Sequence, residues 1–172
     1  LQMRVPSLPR YFEYGLPPKD IYRKWKAAIV PVIALQEKLN ARAPGSLPSA
    51  AQYARYAGEA FTFGDYAFAD DLLKKYFARE PEAFSTVQLE LALYRNNREL
   101  ADEQIARALA DKRIKPEDTD YYTALRYFDK GGNLGGFDRA VFGDRTATPE
   151  ERLTLLRRAS HTFFRAYRYD VS

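Results

Sequence analysis

Cysteine is absent from this chain, which excludes disulfides, thiolate nucleophiles and cysteine-held metals. Histidine occurs once, as His161, whereas a metal site needs several ligands and a general base needs a positioned partner. No uninterrupted apolar run approaches the roughly 20 residues that a membrane-spanning helix requires. Charge of one sign is not in large excess either. The 27 Lys and Arg stand against 23 Asp and Glu, and a formal +4 is less than a strong nucleic-acid binder concentrates on one face. What is present is an ordinary globular composition, 46% hydrophobic over 172 residues, enough for one domain to bury a core unaided. Aromatics are abundant, with 13 Tyr and 11 Phe; tyrosine suits half-buried surfaces because a large apolar ring carries a polar tip.

The chain begins at Leu1 rather than Met, the expectation for a mature chain after removal of a targeting peptide. Pro6, Pro9, Pro17 and Pro18 block helix over 1–18, so this stretch reads as an extended arm whose Tyr11, Phe12 and Tyr14 pack on something else. A helix follows over about Asp20 to Ala41, with Ile21, Trp25, Ala28, Ile29, Val32, Ile33 and Leu39 as its apolar stripe and a kink expected at Pro31. Lys19, Arg23, Lys24 and Lys26 lie near its start, and Ala43 to Pro48 is a clear break.

Beyond the break the pattern repeats. Ser49-Ala50-Ala51-Gln52 has the spacing of a capping box, Ser85-Thr86-Val87-Gln88 repeats it 36 residues later, and Thr119 offers a further cap 34 residues after Ser85. The first unit predicts helices over 50–63 and 66–79, turning at Gly64-Asp65. The second predicts helices over 86–95 and 98–112, turning at Asn96-Asn97. A third begins with a helix from Pro116 to Lys130, after which Gly131 to Gly136 reads as a flexible connector into a loop holding Phe137, Val141 and Phe142. Thr148-Pro149-Glu150-Glu151 opens a final helix running to Arg168, with Leu153, Leu156, Phe163 and Tyr167 as its expected buried stripe. The expectation is all-α, about seven helices in helix-hairpin repeats: units over 49–84, 85–118 and 119–147, a capping helix over 148–168, and one repeat domain over 19–172.

Gly64-Asp65-Tyr66 with Ala69, Leu73, Tyr76 and Pro81 resembles the second helix of a tetratricopeptide repeat. Arg113 to Asp118, followed by Tyr121-Tyr122 and Leu125, resembles a pentatricopeptide junction. In size, repeat type and terminus the chain is also similar to the pentatricopeptide-like accessory-subunit family of mitochondrial F1-ATPase in trypanosomes and euglenids. That resemblance implies a non-catalytic, imported chain on the matrix side, attached to the F1 α-subunit.

No residues group into a catalytic or cofactor site. A P-loop needs a lysine and a hydroxyl after its last glycine, but Gly135-Gly136 is followed by Phe137 and Asp138. Ser160 and His161 are consecutive on a helix and do not face one another, and the pairs Asp70-Asp71 and Glu150-Glu151 read as solvated positions. The final helix interleaves Arg157, Arg158, Arg165 and Arg168 with Phe164, Tyr167 and Tyr169, a mixture that protein interfaces enrich and that also holds single-stranded RNA. With Tyr11, Phe12 and Tyr14 these form the expected partner-binding set. The expected partner is a larger protein assembly, with a pentatricopeptide-type RNA binder and a tetratricopeptide-type peptide adaptor as the alternatives.

Overall fold

A computed structural model describes residues 18–42 and 48–168, with the side chains of 19–42 and 48–163. Of the expected arm over 1–18 and the break over 43–48, residues 1–17 and 43–47 lie outside the described residues; Pro18, expected in the arm, instead opens the first helix. The described chain is helical throughout, with eight helices and no strand. It divides into two compact units, Leu1–Pro81 and Glu82–Ser172, at the end of the first repeat-like hairpin.

In the first unit, α1 (Pro18–Arg42) is followed by the hairpin of α2 (Ala50–Thr62) and α3 (Tyr66–Phe77). The capping box at Ser49 forms as its spacing predicts. The Gln52 N–H donates to Ser49 Oγ at 3.2 Å, and the Ser49 N–H donates to Gln52 Oε1 at 2.7 Å. At the hairpin turn Gly64 takes φ +76°, a conformation only glycine reaches cheaply, and Asp65 caps α3 by accepting from the Phe68 N–H. Ala57, Ala60 and Ala69 are fully buried, which lets α2 and α3 approach closely beside Tyr56, Leu72 and Leu73.

Helix α1 runs unbroken through Pro31. Its buried stripe is Ile21, Trp25, Ile29, Ile33 and Gln36, a run at spacings of three and four. Ala28 and Leu39, expected in that stripe, are exposed instead. Gln36, not Leu39, continues the inward row.

The second unit stacks α4 (Thr86–Tyr94) with α5 (Arg98–Ala110), then α6 (Pro116–Asp129) with α7 (Leu134–Phe142), and α8 (Pro149–Arg168) packs on both α4 and α6. Successive pairs α2–α3, α4–α5 and α6–α7 are consistent with a helical-repeat arrangement. Ser85 Oγ caps α4 by accepting from the Gln88 N–H, while the Ser85 N–H donates to Oε1 of buried Gln104 on α5 at 3.1 Å. Cap and hairpin are thereby tied together. Asn96 adopts φ +52° where repeats of this kind carry glycine, a conformation asparagine tolerates, and Asn97 caps α5. Thr119 is not a cap. Helix α6 starts at Pro116, one turn earlier, and the Thr119 hydroxyl donates back to the Lys115 carbonyl.

The glycine-rich segment is a correction. It is not a connector into a loop: Asn133 caps the nine-residue helix α7 by accepting from the Gly136 N–H at 3.2 Å, and this raises the number of described helices to eight. Gly132 and Gly136 are needed because the Tyr127 ring lies against them; a Cβ at Gly132 would sit 2.4 Å from Tyr127 Cε1. Packing outweighs poor helix propensity here, since α7 buries Phe137 completely and stacks it on Phe128 at 5.4 Å. Gly143 at φ +61° ends the helix. At α8 the Thr148 cap forms with Glu151 as its reciprocal partner. The buried stripe of α8 is Leu155 and Ala159, with Leu156 and Phe163 half-buried; Leu153, expected inside, is exposed because it falls on the far side of the helix from Leu155.

Candidate functional site

Helix α1 carries the residues of most functional interest, and two carboxylates on its side of the first unit decide how it is seated. Asp65, at the hairpin turn, accepts from the Tyr22 hydroxyl at 2.6 Å and from Lys26 Nζ at 2.5 Å. Glu37 accepts from the Tyr53 hydroxyl at 2.7 Å and from Lys75 Nζ at 2.6 Å. One clamp grips the early part of α1 and the other its late part. Burial works against ionisation of both carboxyls, but the hydrogen bonds from the lysines and tyrosines outweigh it and hold both below the ordinary carboxylate range. Burial, reinforced by the neighbouring carboxylate, pushes the Tyr22 phenol well up and the Tyr53 phenol up to about 12. Both rings therefore remain protonated donors at neutral pH. The Tyr22 ring also stacks on Phe63 at 4.9 Å.

This seating leaves apolar side chains of α1 exposed among Arg23, Lys24 and Lys38. Leu35 and Leu39, one turn apart, are 46% and 52% exposed; Val30, 42% exposed, stands nine residues before Leu39 and so on the other flank, and Ala27, Pro31 and Ala34 are exposed as well. A helix whose hydrophobic residues continue round to the solvent side presents an apolar patch of the kind that marks interaction surfaces. On one flank the patch runs into a recess of about 670 Å3 lined by Lys19, Tyr22, Arg23, Lys26, Ala27, Val30, Pro31, Phe63 and Asp65.

The expected binding residues are distributed differently. Tyr11, Phe12, Tyr14 and Tyr169 lie outside the described residues, and the side chains of Phe164, Arg165, Tyr167 and Arg168 are likewise outside them, on the last turn of α8. Arg157 is exposed. Arg158 is engaged within the second unit: it pairs with Asp118 at 2.6 Å and lies 3.8 Å over the Tyr121 ring, whose hydroxyl shares a hydrogen bond with Thr162. The exposed apolar residues of α1 were not among the expected binding residues. The signal available in the sequence was Leu35 and Leu39 at a spacing of four.

Other polar groups are held in structural roles. His161 is exposed on α8, Asp71 pairs with Lys74, and Glu151 serves the α8 cap. Among the described residues no three His, Cys, Asp or Glu side chains are grouped to hold a metal ion, and no helix is long and apolar enough to cross a membrane. A scan against family models and searches of curated proteins and of solved structures find no match to this chain.

Proposed function

We propose that the chain is a non-catalytic accessory subunit that docks onto a larger protein assembly through the outer face of α1. The observation that carries this reading is the exposed apolar pair Leu35 and Leu39, one turn apart on α1, with Val30 exposed on the other flank beside the recess, while Ile21, Trp25, Ile29 and Ile33 are buried. Leaving such side chains exposed forgoes roughly 25 cal/mol for each Å2 that a partner would cover. The sequence resemblance brings forward the F1 sector of mitochondrial ATP synthase, through its α-subunit, as that assembly, and a matrix location with it.

Native mass spectrometry of the gently purified, RNase-treated endogenous protein tests the proposal. The expected result is a stoichiometric protein complex, whose component masses identify the partner. The double substitution Leu35→Glu with Leu39→Glu should release the chain from it. A free 19.8 kDa chain that appears only after RNase treatment would overturn the reading in favour of an RNA partner.

A further inference from the structure

We infer that the recess beside the first half of α1 receives an acidic amphipathic segment of a partner protein, one apolar side chain entering the floor and adjacent carboxylates meeting the rim. This inference rests on the docking role proposed for α1 and specifies the chemistry of what docks there.

The floor is apolar: Ala27, Val30, Pro31 and Phe63. The rim carries three cations, Lys19, Arg23 and Lys26, against one carboxylate, Asp65. These charges do not cancel. Asp65 and Lys26 neutralise one another at 2.5 Å, and Lys26 also sits over the Phe68 ring at 4.7 Å. Lys19 and Arg23 are left as the charge the recess shows to a partner. Arg23 touches Asp20 at 3.1 Å, but its side chain is 79% exposed, and an exposed pair of this kind is weak enough to yield to an incoming carboxylate.

The site thus offers an apolar floor beside a cationic rim. A polypeptide carries an apolar group and a carboxylate within a few residues of one another. A nucleic acid fits less well: the floor is largely aliphatic, the Tyr22 ring face is given to Phe63, and the Asp65 carboxylate sits on the rim.

Fluorescence anisotropy on the full chain tests this, with a labelled amphipathic peptide of glutamate, leucine and alanine as the probe. Its counterpart with glutamine for every glutamate and a single-stranded RNA oligomer are run beside it. The acidic peptide should bind, and the double reversal Lys19→Glu with Arg23→Glu should raise its Kd about tenfold or more. The reversal Lys112→Glu with Arg139→Glu makes the same change in net charge at exposed positions of the second unit and should leave the affinity unchanged. Equal binding of the acidic and glutamine peptides, equal loss in both reversed proteins, no binding of the acidic peptide, or RNA competing for the same rim would each overturn the inference. In the native complex, Lys19→Glu with Arg23→Glu should also release the chain. If Leu35→Glu with Leu39→Glu releases it and the rim reversal does not, the recess assignment fails while the docking role stands. If neither releases it, both fail.

Discussion

The two units seat their long helices by different chemistry. In the first, α1 lays a row of Ile and Trp against the hairpin and is held in register by two buried-side carboxylates, Asp65 and Glu37, each taking one tyrosine and one lysine. In the second, α8 is seated by Leu155 and Ala159 over a core that continues through Tyr121, Leu125, Phe137 and Phe142. Helix α8 turns mainly arginines and glutamates outward, whereas α1 exposes Val30, Leu35 and Leu39 among its lysines and arginines.

The comparison can be broken most severely in the second unit. Phe137 is fully buried and stacked, so Phe137→Ala should cost about 3–5 kcal/mol, read as a lowered urea midpoint for the full chain. In the first unit, Asp65→Ala removes the α3 cap and orphans Tyr22 and Lys26, for an expected loss of about 2 kcal/mol. That loss should depend on pH in a defined sense. The Asp65 and Glu37 carboxyls are lowered from ordinary values of 3.8 and 4.5, so their contribution is complete above about 4.5 and fades as pH falls below 3.8 through the folded-state values. Asp65→Asn should flatten that acid limb of the stability profile; an unchanged limb would assign it to other carboxyls.

Smaller effects sharpen the contrast. Gly132→Ala forces a methyl into the Tyr127 ring and should cost about 1–2 kcal/mol, visible by thermal unfolding. Leu35→Glu with Leu39→Glu should change stability by no more than about 0.5 kcal/mol, because these side chains already stand in water, while docking is lost. A large loss of stability in that variant would show that the α1 outer face supports its own fold.

Much of the fold was legible in local chemistry. The caps at Ser49, Ser85 and Thr148, the turn at Gly64-Asp65 and the proline start of α6 are decided within four or five residues, and each is where its spacing predicts. Helix α7 was not legible in that way. Four glycines argue against a helix, and the argument for one comes from Tyr127, Phe128 and the burial of Phe137. The missed signal was Asn133 as a cap, with Phe137 and Val141 one turn apart behind it.

The candidate site was less legible still. Apolar residues occur all round α1, so periodicity alone assigned Ala28 and Leu39 to the core and overlooked Gln36. Sequence by itself determined that the chain is helical and where most hairpins turn, because capping, helix propensity and glycine conformation act over a few residues. Only the tertiary structure decided which side of α1 is buried. That choice depends on Tyr22 and Lys26 meeting Asp65, and on Glu37 meeting Tyr53 and Lys75, partners separated by 16 to 43 positions along the chain.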